Sequence, residues 1–125
     1  MEVKVDLGRK DLSLLFKPYE RIMVEYAWEE GVEPTGSGKL FRLVNERLPE
    51  GQTISRTSVI FAANRFKEKY GIWDCTEGTE KGGYRRLYFA KVTQSEAWKI
   101  LARTFVLRVV EASGLSREEL FLEEK

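Results

Sequence analysis

The sequence predicts a mainly α-helical fold with a small β-hairpin, and three observations carry that prediction. Apolar side chains recur at helical spacing in successive segments between Pro18 and Tyr70. Two aromatic and β-branched runs, 72–76 and 84–92, then flank a loop from Glu77 to Gly83. A further helical pattern closes the chain. With 125 residues, of which 42% are hydrophobic, there is material for one core. The order of elements divides the chain into an N-terminal arm (1–17), a central domain (18–92) and a C-terminal helical segment (93–125).

In the arm, Val3, Val5 and Leu7 alternate like a short strand, whereas Leu12, Leu14, Leu15 and Phe16 read as a helical turn. Pro18 suits the first position of a helix, and Ile22, Met23, Tyr26, Ala27 and Trp28 carry it toward Gly31, giving a first helix over 18–30. After a polar link from Gly31 to Ser37, Leu40, Phe41, Val44 and Leu48 define a second helix that Pro49 stops. Ser55 is a favourable N-cap for a third, whose face Val59, Ala62, Ala63, Phe66 and Tyr70 ends at Gly71. Beyond the hairpin, Thr93 and Glu96 form a capping box for a helix through Trp98, Leu101, Phe105, Val109 and Ala112 to Gly114. Ser116 and Glu119 repeat that signal for a short final helix.

Three helices followed by a hairpin is the order of a winged helix-turn-helix, in which the third helix enters the major groove and the hairpin grips the backbone. Charge agrees with that reading. Ser55 to Lys91 holds eight cationic against four anionic side chains, a net +4 in a chain of net +1, which leaves −3 for the remainder. At 100° per residue, Val59, Ala63, Phe66 and Tyr70 turn inward, and Thr57, Phe61, Asn64, Arg65 and Glu68 turn outward. Asn64 and Arg65 are the types that hydrogen-bond adenine and guanine. Ser55, Arg56, Thr57 and Ser58 stand where a helix N-terminus meets a phosphate, with Lys67 further along. An outward Phe61 is explained either by a thymine contact or by packing on the arm.

On the hairpin, Lys81, Tyr84, Arg85 and Arg86 beside Gly82 and Gly83 are the candidate phosphate contacts. The plainer alternatives are a solvated helix face and cations that guard a sheet edge. The 93–114 helix is apolar on more than one stripe, so Trp98, Leu101, Phe105 and Val109 are candidate dimerisation residues; the alternative is that they cover the core of a monomer.

These residues also resemble a family. Ser55, Ser58, Val59, Asn64, Arg65, Phe66, Lys67, Lys69 and Gly71, followed by Gly83, Arg85, Arg86, Tyr88, Val92, Thr93 and Glu96, are similar to the third helix and wing of the penicillinase and methicillin-resistance repressors. Glu20, Met23 and Trp28 echo their first helix. The resemblance spans about residues 18–98 and implies a homodimeric transcriptional repressor that binds double-stranded DNA. The chain departs from the family in its shorter segment after the wing and its added arm, and nothing supports induction by proteolysis.

Other chemistry finds little support. With no histidine, His-based triads and HExxH zinc sites are excluded, and no cofactor, metal or enzymatic activity is expected. Gly36-Ser37-Gly38-Lys39 fails the phosphate-loop pattern, because Glu33 and Leu40 stand where Gly and Ser or Thr are needed. The single cysteine, Cys75, fits a reducing cytosol, and the absence of an apolar span or a signal-like start fits a cytoplasmic protein without membrane contact. The competing function is a winged-helix protein-interaction module in a transcription or replication assembly.

Overall fold

Asp11 caps a 3-10 turn, Leu12–Leu14, by accepting a hydrogen bond from the Ser13 amide. The computed structural model describes residue 5 and residues 7–80 and 83–121, with the side chains of residues 79, 80, 83 and 84 not included. The strand-like reading of Val3 and the phosphate-contact reading of Lys81 therefore lie outside the described residues. The chain divides into two compact units, one ending at Val92 and the other beginning at Thr93.

In the first unit, α1 (Pro18–Ala27) begins at a proline, whose missing N–H costs nothing in a first turn. Glu20 closes that turn by accepting the Lys17 amide at 3.0 Å. The helix stops at Ala27, three residues before the expected end. Within the link read as a loop, Thr35 and Gly36 form a two-residue strand, β1, too short to show periodicity. It leads directly into α2 (Ser37–Arg47). Asn45 fixes the chain that follows: its amide accepts from the Ile54 amide at 2.9 Å and donates to the Ile54 carbonyl at 3.2 Å.

Ser55 caps α3 (Arg56–Glu68), its hydroxyl accepting from the Ser58 amide at 3.1 Å. Gly71, at φ +68°, then turns the chain in a conformation that would strain a side chain. The hairpin strands, β2 (Trp73–Glu80) and β3 (Gly83–Ala90), run well into the segment expected to be a turn. Away from the core neither face needs apolar alternation, so a polar run such as 77–80 pairs as well as a loop would form; Glu77 opposite Arg86 adds opposite charges. The sheet is antiparallel in the order β1-β3-β2, with Thr35 opposite Tyr88 and Gly36 opposite Leu87.

An aromatic chain joins these elements. Phe66 meets Phe16 edge-on at 5.7 Å and Trp73 at 5.0 Å, and Trp73 continues to Tyr88 at 6.2 Å. Met23, Val24, Leu40, Val44, Val59, Ala62 and Ala63 fill the rest of this core. The larger of these side chains, Met, Val and Leu, each contribute about 1.5–3 kcal/mol on burial, and each alanine methyl about 0.8 kcal/mol. Trp28 ties α1 to the end of the unit by donating from Nε1 to the Val92 carbonyl at 3.0 Å.

The second unit contains α4 (Gln94–Ser113) and α5 (Arg117–Leu120). Both begin with the capping boxes that the spacing predicts, Thr93 with Glu96 and Ser116 with Glu119. Gly114 ends α4 at φ +72°.

Candidate nucleic-acid interface

Helix α3 presents its apolar stripe inward, as its phase requires. Val59, Ala63 and Phe66 are fully buried and Tyr70 nearly so. On the opposite side Ser55, Arg56, Thr57 and Glu68 are exposed, Ser58, Asn64, Arg65 and Lys67 are half-buried, and Phe61 is 61% exposed. Phe61 is left largely open to solvent. The arm packs through Phe16 on Phe66 and Tyr70, on the inward face of the same helix.

Two outward side chains have partners inside the fold. Arg65 Nη2 donates to Glu20 Oε2 at 2.9 Å and to the Tyr19 hydroxyl at 3.3 Å, bolting α3 to the first turn of α1. Burial works against the Arg65 charge, but the bonds to Glu20 and Tyr19 more than reverse that effect and hold its pKa above the ordinary value. Asn64 Oδ1 accepts from the Tyr88 hydroxyl at 2.9 Å and from Arg86 Nη1 at 3.4 Å, joining α3 to β3. Burial pushes the Tyr88 hydroxyl pKa up, and its contact with Arg86 raises the Arg86 pKa in turn. Sequence phase turns Asn64 and Arg65 away from the buried stripe, and both are half-buried. It carries no information about Glu20, 45 residues earlier, or Tyr88, 24 residues later.

The hairpin brings exposed Arg85 and Arg86 to opposite faces of β3. Arg86 lies on the α3 side, whereas the Arg85 guanidinium crosses Gly36, where an added methyl group would sit 3.1 Å from Nη1. Tyr84 pairs with Thr79 through its backbone. Around the start of α2, Arg56 Nη2 donates to Ser37 Oγ at 3.2 Å, and the Arg56 and Arg42 guanidinium groups both lie close to Gly38. An open groove beside them has Phe41, Arg42, Asn45, Glu46, Ile54 and Arg56 in its lining. Ser37, Arg42 and Asn45 were not expected in this surface. Gly36-Ser37-Gly38-Lys39 does mark the place in the sequence, not as a phosphate loop but as a glycine-flanked helix start that lets arginines approach.

In the second unit Leu101 is buried, Trp98 and Val109 are half-buried and Phe105 is 43% exposed. From Ala102 to Ser113 no residue of α4 is buried, although Phe105, Val106, Leu107, Val109 and Val110 lie there. Leu107 and Phe121 are exposed and line a groove with Ala102, Arg103, Val106 and Arg117.

Among the described residues no cluster of three or more His, Cys, Asp or Glu side chains is placed to hold a metal, and no helix is long and apolar enough to cross a membrane. No protein-family model, no curated protein and no solved structure matches the chain significantly.

Proposed function

We propose that the chain is a winged helix-turn-helix regulator of transcription that binds double-stranded DNA in a sequence-dependent way as a homodimer, with repression as its role. One observation carries the reading: the exposed face of α3 and the cationic strand β3 are joined through Asn64, Tyr88 and Arg86 into one surface. The +4 charge of the 55–91 stretch supplies the attraction to phosphate. In this arrangement Thr57 and Phe61 face the major groove, Arg56 and Arg42 meet one phosphate strand, and Arg86, on the α3 side of β3, meets the neighbouring one, with Arg85 reaching it from the opposite face. Asn64 and Arg65 act mainly as positioning residues. The uncovered apolar half of α4 is the surface for a second copy, which would hold two recognition helices about 34 Å apart.

A second reading is a winged-helix module that binds an acidic protein surface. It is favoured by the internal engagement of Asn64 and Arg65, the two side chains best suited to reading bases. Selection of bound duplexes from a random DNA pool, combined with size measurement in solution, separates the two. A dimer that enriches a palindromic site is the expected result; a monomer that enriches nothing overturns the DNA reading.

A further inference from the structure

The base-reading chemistry of α3 is narrower than its composition suggests. Asn64 and Arg65 are held by Tyr88, Arg86, Glu20 and Tyr19. That leaves Thr57 exposed at the start of the helix and, one turn on, Phe61 at 61% exposure on the same face. A phenyl ring beside a threonine methyl offers no hydrogen-bonding fork for a base edge, and it gains by covering an apolar group. In the major groove the apolar group on a base edge is the C5-methyl of thymine.

We propose that the Thr57–Phe61 face of α3 reads a pyrimidine C5-methyl group in the major groove, so that methyl contacts rather than base hydrogen bonds set much of the site preference. The inference rests on the proposed DNA binding. Charge supports that occupant: the 55–91 stretch is positive in a chain whose remainder is negative, and exposed Arg56 and Arg86 belong to the same surface. A polyanion bearing methyl groups fits both features. Thymine and 5-methylcytosine carry the same methyl at the same ring position, and uracil and cytosine are their methyl-free counterparts.

The test uses the full chain and a duplex that it enriches from a random pool. Thymines are replaced one at a time by uracil, and a 5-methylcytosine–guanine pair is compared with cytosine–guanine at each sensitive position. Burying one methyl-sized group is worth about 0.8 kcal/mol, so each contacted thymine should lose about fourfold in affinity when its methyl is removed. Phe61→Ala should bind more weakly and show no uracil penalty, whereas Phe61→Leu should keep part of it; both variants should melt like wild type because the ring is exposed. A gain with 5-methylcytosine supports methylated cytosine as a second source of the group, and a uracil penalty without that gain supports thymine alone. Wild type indifferent to uracil, or Phe61→Ala with an undiminished penalty, overturns the methyl contact and leaves DNA binding standing. Failure to enrich any duplex, with binding to an acidic peptide instead, overturns both.

Discussion

Changing Arg65 to Ala separates a positioning role from a base-reading one. Glu20 is 5% exposed, and its carboxylate accepts the Lys17 amide on one oxygen and the Arg65 guanidinium on the other. Removing the guanidinium strands a buried charge with one backbone donor. Breaking such a pair costs about 3–5 kcal/mol when both partners are buried. The Arg65 side chain is 36% exposed, so water replaces part of the lost interaction, and about 2 kcal/mol is the reasonable expectation. For a domain of this size that lowers the melting temperature by about 8 °C. Glu20→Gln in the Arg65→Ala background should recover part of the loss, because a neutral amide is cheaper to bury unpaired. Urea denaturation of wild type and the two variants measures the stabilities, and binding to selected and scrambled duplexes measures the preference. Arg65→Ala with wild-type stability and a preference relaxed at one base pair would refute the positioning role and make Arg65 a base reader.

Other substitutions give equally definite expectations. Asn64→Ala removes the acceptor for the Tyr88 hydroxyl and should cost about 1–2 kcal/mol; because it loosens the hairpin from α3, affinity should fall for every duplex alike, and a loss confined to one base pair in competition binding would argue against this. Phe105→Glu places a charge on the uncovered half of α4 and should yield a monomer in light scattering without lowering the melting temperature; an unchanged dimer rejects α4 as the interface. The Glu29 carboxyl is held below its ordinary pKa by hydrogen bonding to Arg47. Its small stabilising contribution is therefore present above the unfolded value, near 4.3, and is lost as pH falls through the lower folded one. An NMR titration should find Glu29 returning toward the ordinary range in Arg47→Gln, and no change on that substitution would contradict the pairing.

The sequence made the helices legible because each signal is local. Ser55, Thr93 and Ser116 cap where expected, and the inward stripe of α3 follows from 100° steps alone. What it concealed depends on distant partners. Thr35 and Gly36 are a strand only because Tyr88 and Leu87 lie opposite them, and Glu77 to Glu80 are paired rather than looped because residues 83–86 of β3 lie opposite them. The candidate site shows the same division. That Arg65 and Asn64 turn outward could be read from the periodicity, but Glu20 and Tyr88, which occupy them, come from other elements. Phe61 is the reverse case: its outward direction follows from the same phase, and only the fold shows that it stays 61% exposed while Phe16 packs on Phe66 and Tyr70.

Salt dependence of duplex-DNA affinity tests the proposed interface most directly. Wild-type log affinity should fall linearly with log salt concentration, and Arg85→Ala with Arg86→Ala should make the slope shallower by about 0.9 for each phosphate contact removed. Duplex affinity absent at physiological salt, or a slope identical in wild type and the double variant, would contradict DNA binding by α3 and the hairpin.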